Sequence, residues 1–332
     1  MSKHKKLKPI LRTLAISGML AGLTCSAVSP SFAQDREEKN DGGLLGPDFR
    51  VGVDGELNLG VSTSAGNGER SDVRGSFVSL SMEWKQKVRA VITGKIEEIF
   101  ERERPEINDD FDIAEFIEEA YIEIREVGGT PVAIVVGKHP IPFGQNVQAM
   151  PLFKNNPLYD LQEIDEVYGV TLNLTEGLFG LFDQAEIAAF ETEDKDLKIG
   201  DSKGMSIRLS KLITSQWLLT ASHSRMEHDD QSDDESRTSI GLIGETPDGA
   251  LVGWAEGLYF SDNPEHVEAN YGITVGGMLR VRNATDVIVE YNHIENEINQ
   301  IAVGLRSSLT RNLSVGAEIR FSDRENQDSG VS

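Results

Sequence analysis

Between Phe49 and Phe321 the chain repeats one pattern: apolar and polar residues alternate one for one, in runs of about 10–14 residues. Successive side chains of a strand point to opposite faces, so each run makes a strand with one apolar and one polar face. Phe49, Val51, Val53, Leu57, Leu59 and Val61 alternate with Arg50, Asp54, Glu56, Asn58 and Ser62. The signature recurs in Val78 to Trp84, Ala120 to Arg125 and Met205 to Ser210, and again in Leu313 to Ser322. Strands of soluble sandwiches are typically ~5–6 residues long with an apolar inner face. A tilted strand needs ~9–11 residues to cross a bilayer. Here the polar face repeatedly carries charge, which suits a water-filled interior behind an apolar, lipid-facing exterior. The pattern predicts an all-β fold, a transmembrane antiparallel up-and-down β-barrel.

Fifteen strands are legible, at about 49–62, 73–84, 88–99, 114–125, 131–138, 165–175, 180–191, 203–212, 215–226, 236–245, 250–260, 268–280, 285–295, 298–309 and 313–322. Their connections alternate in length. Tight ones such as 85–87, 247–249 and 310–312 are interleaved with mostly longer acidic ones such as 65–72, 101–113, 191–202, 227–235 and 261–267. Short periplasmic turns opposite long outer loops are the layout of an outer-membrane barrel. Single-chain bacterial barrels have even strand numbers. The expectation is therefore about 16 strands (14–16), with the sequence truncated before a last strand. Residues 49–322 form the barrel, 34–48 a flexible lead-in and 323–332 a polar tail.

Residues 1–33 read as a secretory signal peptide: Lys3, Lys5, Lys6, Lys8 and Arg12, then a short apolar stretch, then Ser31-Phe32-Ala33 as the cut site. The single cysteine, Cys25, lies in this leader, so the exported chain has no disulfide or thiol chemistry. Removing the five leader cations from a net charge of −23 leaves −28, which excludes nucleic acid as a partner. No apolar run after the leader is long enough for a membrane helix. The expected location is the outer membrane of a Gram-negative bacterium, with lipid and lipopolysaccharide as partners.

The most individual segment runs from Gly137-Lys138-His139-Pro140-Ile141-Pro142-Phe143-Gly144-Gln145-Asn146 into Met150 to Leu158. Proline and glycine at this density preclude a regular ladder and force a defined path. Two placements stay open. One is an inward loop that narrows the pore, with Lys138, Pro142, Phe143, Gly144 and Asn146 along the solute path. The other is an outer loop stapled by Phe143 and Phe153 on the rim. Arg89, Lys95, Glu97, Glu123 and Arg125 are expected to line the lumen, as are Arg208, Arg306, Glu318 and Arg320. Such mixed signs set a transverse field, leaning only weakly to cations through acids that include Asp54, Glu56 and Glu290.

Enzyme chemistry finds little support. The six histidines lack zinc-ligand spacing, and the His228 to Glu235 acids lack a glycine-spaced calcium loop. In Ser222-His223-Ser224 the alternation sends His223 to the face opposite its neighbours. No metal or other cofactor is expected.

Glu119 to Ile124, Gly137-Lys138 followed by Pro142-Phe143-Gly144, then Asn156-Pro157-Leu158 and Glu163, resemble the strand and loop pattern of porin-type outer-membrane channels. The resemblance is closest to siderophore porins of the legiobactin-receptor type and more distant to phosphate-selective porins; it covers about residues 78–190. It implies passage of a small hydrophilic solute, including an iron chelate. His139-Pro140-Ile141 departs from the aromatic or aliphatic pair often found there. Wide porins commonly form trimers, so a homo-oligomer is an expected assembly, although no interface is legible. A non-conducting surface barrel for adhesion or structure, and a soluble exported β-sandwich binding glycans, are the alternatives.

Overall fold

The computed structural model describes residues 48–56, 60–64, 68–72, 77–95, 117–145, 157–162, 164, 167–175, 181–193, 199–228, 234–261, 269–282, 285–310 and 313–323. The leader, the 324–332 tail and most of the long acidic connections lie outside these residues.

The strands are β1 (Phe49–Glu56), β2 (Gly60–Ser64), β3 (Gly68–Asp72), β4 (Phe77–Trp84), β5 (Val88–Lys95) and β6 (Ile117–Ile124). They continue with β7 (Val132–Lys138), β8 (Tyr168–Thr175), β9 (Gln184–Glu193), β10 (Ile199–Leu212), β11 (Trp217–His228) and β12 (Glu235–Glu245). The last are β13 (Leu251–Ser261), β14 (Tyr271–Arg282), β15 (Thr285–Ile294), β16 (Ile298–Thr310) and β17 (Leu313–Asp323). Fifteen of them form one antiparallel sheet in chain order from β1 through β4 to β17, and β2 pairs only with β3. The architecture is the all-β up-and-down arrangement that the alternation predicts. A two-sheet sandwich, the soluble alternative, is not the fold. No helix among the described residues is long and apolar enough to cross a membrane.

Tight turns gather at one end, except 295–297, which joins β15 to β16 at the other. Residues 85–87 join β4 to β5, and the amide of Lys85 donates to the Asp48 carbonyl at 2.7 Å, placing the start of β1 at the same end. β1 therefore runs away from the short-turn end, and so does β17, which follows the 310–313 turn. The two edge strands are parallel to each other and are not hydrogen-bonded together; a sixteenth strand has no counterpart among the described residues.

Register decides which side chains share a face. Val53 sits opposite Leu80, Leu80 opposite Ile92, and Ile92 opposite Ala120, so one apolar row crosses four strands. These rows are exposed, as are Ile122, Val136, Val170, Met205, Ile240, Val275, Val289, Val303 and Ile319. Exposed apolar surface on this scale, continuous around a sheet, needs a non-aqueous solvent. Trp84 and Trp217 stand on this face at the short-turn end, while Tyr259, Tyr271 and Tyr291 stand on it toward the other. Amphipathic rings at both limits of an apolar band are the girdles of a membrane barrel.

The opposite face is only partly the wet interior that the alternation suggests. Phe190, Met226, Leu258, Phe260, Ile294 and Ile298 belong to an apolar cluster inside the sheet, in phase with polar residues such as Glu186 and Glu256. What they pack against is the segment that follows β7.

Candidate functional site

After Lys138 the chain turns off the sheet. The His139 amide donates to the Val167 carbonyl at 3.1 Å and the Ile141 amide to Ile164 at 2.9 Å, so the two limbs of the excursion are tied together at its base. His139 is fixed by both ring nitrogens, with Nδ1 2.9 Å from the Gly137 carbonyl and Nε2 2.8 Å from Thr171 Oγ1. A carbonyl cannot donate, so Nδ1 carries hydrogen, and in the neutral ring Nε2 accepts from the threonine hydroxyl.

Beyond this base, Pro140 and Pro142 withhold amide hydrogens, so the segment cannot extend the sheet and crosses its inner face. The Ser206 hydroxyl on β10 donates to the Pro142 carbonyl at 2.8 Å. The Gly144 amide donates to Ser222 Oγ on β11 at 3.0 Å, and the Gln145 amide to Glu256 Oε1 on β13 at 3.0 Å. Ser239 on β12 also donates to Glu256 Oε1. Pro142, Gly144 and Gln145 are thus held by β10, β11 and β13, with Ser239 of β12 bracing Glu256.

Gly144 makes the fit possible. Its φ of +62° is one that side chains rarely adopt, and an added Cβ would lie 2.9 Å from Glu256 Oε1 and 3.1 Å from Gln162 Oε1. Gly241 clears the wall beneath, since a Cβ there would strike the Gln145 side chain at 2.4 Å.

The returning limb is anchored similarly. Helix α1 (Pro157–Asp160) lies against β14 and β15, with Leu158 fully buried over Gly272. Arg237 donates to the Leu161 carbonyl at 2.8 Å while also paired with Glu235. Ile141, Phe143, Leu158, Ile164 and Val167 complete the apolar cluster begun by the wall. Each large side chain buried this fully contributes about 1.5–3 kcal/mol, so several together hold the segment firmly. It is an inward plug with its own small core.

The residues singled out from sequence fall in different places. Phe143 is buried in the inner cluster, and Pro142 and Gly144 sit at the clamped tip. Lys138 is buried at the end of β7, in the register row of Ala120 and Tyr168. Asn146 and Glu97 lie outside the described residues, and Lys95 and Glu318 are described by backbone only. Arg89 and Glu123 face each other in register on the inner face, with Arg125 bonded to Glu123 at 2.7 Å. Arg208 pairs with Glu186, Arg306 with Asp286 at 2.7 Å, and Arg320 lies 3.4 Å from Gln300.

Ser206 and Ser222 stood out in the sequence only as polar-face residues, and Ser239, Gly241 and Glu256 were not singled out at all. Their signal is small residues at the inward phase of three successive strands, β10 to β12, which leaves room for a chain to lie on the wall. Among the described residues no cluster of His, Cys, Asp and Glu is suited to a metal ion.

No known protein-family profile matches the sequence, and no curated protein matches it. Solved structures do. The anion-selective porin from Comamonas acidovorans superposes with a TM-score of 0.53 at 11% identity, over 83% of this chain and 89% of that one. In-vitro folded OmpT of Vibrio cholerae, an outer-membrane protein in its trimer form, superposes with a TM-score of 0.56 at 10% identity, over 83% and 89%. Identity at this level speaks for architecture alone, and the architecture is that of the outer-membrane porin barrels.

Proposed function

We propose that this protein is an outer-membrane channel passing a small hydrophilic solute through a barrel narrowed by its own inward segment. The observation that carries the reading is the clamp on Pro142 to Gln145 by Ser206, Ser222 and Glu256, which sets a polypeptide across the inner face of a lipid-facing sheet. Pore shape and a concentration gradient then do the work, with no cofactor and no enzymatic step. The reading includes export with cleavage near Ala33, outer-membrane lipid and lipopolysaccharide as surroundings, and a homo-oligomer as the assembly. An iron chelate as solute rests on the sequence resemblance alone.

Refolded protein in planar bilayers tests it: discrete conductance steps are expected. A second reading, a non-conducting surface barrel, draws on the complete burial of the inward Thr274 and Asn292, which shows how tightly one side of the lumen is filled. Absence of steps from correctly folded protein favours that reading and removes the channel.

A further inference from the structure

The plug does not fill the interior evenly. On β8 to β16 the inward polar side chains under the plug are buried, with Ser239 at 1% and Glu256 at 2%. On the wall of β1 and β4 to β6, toward the short-turn end, Glu83 is 26% exposed and Arg125 35%. Water therefore reaches the lumen at the short-turn mouth, while farther in on this wall Val91 and Thr93 of β5 are buried.

What the water meets there is ordered. Arg50 on β1 pairs in register with Glu83 on β4, Glu83 with Arg89 on β5, and Arg89 with Glu123 on β6. Arg125 closes the row at 2.7 Å from Glu123 and 3.7 Å from Glu83. The same level of the barrel carries the Glu186–Arg208 pair on β9 and β10. Further round stand Glu245 on β12 and Asp286 on β15, the latter 3.4 Å from Arg280 and 2.7 Å from Arg306. Every one of these residues lies close to a short turn. Six guanidinium groups alternate with five carboxylates among the described residues of this girdle.

Resting on the channel reading, we infer that this compensated girdle is the selectivity element and that it favours small dipolar solutes of zero net charge, zwitterions foremost. Adjacent strands stand ~4.7–4.9 Å apart, so opposite charges alternate at about that spacing along the wall. A lone ion attracted by one group is repelled by the next, and the sum fades within a Debye length of ~8–10 Å. A zwitterion turns each end to its opposite and is attracted at both. The net charge of the chain, −23, resides largely elsewhere and does not set this mouth.

The test uses three amino acids of similar size and different charge, glutamine, glutamate and lysine, entering proteoliposomes that contain the refolded full chain. Salt at 0.3 M screens distant surface acids. Glutamine is expected to enter about fivefold faster than either ion, the two ions matching each other closely. Paired substitutions Arg50→Gln with Arg89→Gln should then favour lysine over glutamate, and Glu83→Gln with Glu123→Gln the reverse. Circular dichroism and heat-modifiable gel mobility confirm that each variant is folded. Either ion outpacing glutamine, or both variant pairs moving the lysine-to-glutamate ratio the same way, overturns the inference while leaving a channel. If folded protein admits none of the three and shows no conductance, the channel reading falls and this assignment with it.

Discussion

At the scale of single residues, the inward segment is held by contacts that tolerate little change. Glu256 accepts from the Gln145 amide and from Ser239, so its removal leaves two buried donors without an acceptor. A buried donor left without an acceptor costs ~1–3 kcal/mol, so Glu256→Ala should free the plug tip. Glu256→Gln, which keeps an acceptor oxygen, should retain most of the anchoring. The expected outcome is larger and noisier single-channel conductance for the alanine variant and near-native steps for glutamine. Gly144→Ala acts on the same clamp from the other side: its methyl would meet Glu256 and Gln162 at a backbone angle that alanine resists. Protease nicking between residues 139 and 167 of folded protein in detergent should rise for Gly144→Ala and stay at background for the parent.

Elements add a second tier, and the β4–β5 hairpin shows how local geometry and sequence can disagree. Lys85 and Gln86 both have positive φ, at 51° and 58°, in a two-residue turn closed by the Lys87 amide on the Trp84 carbonyl at 3.0 Å. That is the turn form that favours Asn-Gly, whereas here Lys85 is retained above the Trp84 ring, 5.0 Å from its centroid. Gln86→Gly relieves the second position without touching this contact and should stabilise the barrel by about 1 kcal/mol, read as a higher urea midpoint. The β12–β13 turn is better matched. Thr246 Oγ1 donates to Asp248 at 2.6 Å and the Ala250 amide to the same oxygen at 3.1 Å, and these hold the Asp248 carboxyl below its ordinary range. A depressed folded-state value means stability that is present above about pH 4 and is lost as pH falls through the lower, folded value. In Asp248→Asn that part of the acid response should vanish, leaving a flatter stability curve below pH 4 in acid titrations of refolded protein.

Strands were the legible part of the sequence, and their short-turn ends were read closely: the expected 73–84 and 88–99 meet the observed Trp84 and Val88 to the residue. The long-loop ends were read unevenly: 131–138 ends at the observed Lys138, whereas 203–212 misses the observed start at Ile199. The first run, 49–62, is two strands, β1 and β2, and the expected long 65–72 connection contains β3. Tight turns are marked by local chemistry, whereas alternation fades gradually into a loop and gives no stop signal. The plug was legible as an individual segment through its prolines and glycine, and its two placements could not be separated, because alternation describes only the chain's own strand. The hydrogen bonds that place it come from residues 64 to 111 positions away, such as Ser206 to Pro142 and Arg237 to Leu161, and no local pattern encodes them. One hint stood in β9, where Phe190 falls in phase with Glu186 rather than with Ile187. An aromatic on the polar face of a barrel strand needs something apolar inside to cover it.

For the whole molecule, function depends on which solvent each face meets, and the three tryptophans report on that division. Trp84 and Trp217 are 50% and 38% exposed on the outer face near the short-turn rim, whereas Trp254 is 5% exposed on the inner face with Ile288 and Ala302. In a bilayer the first two rings belong at the headgroup level, where amphipathic aromatics settle, and the third is screened by the barrel wall. Lipids brominated high on their acyl chains should therefore quench most of the fluorescence of the refolded protein. In Trp84→Phe with Trp217→Phe the remaining Trp254 emission should resist the same lipids and also resist aqueous iodide, since the ring is covered on both sides. Strong lipid quenching of that double variant would put Trp254 against the acyl chains. It would reverse the inside and outside of every strand in register with β13, and the plug, the girdle and the solute path would lose the wet interior they require.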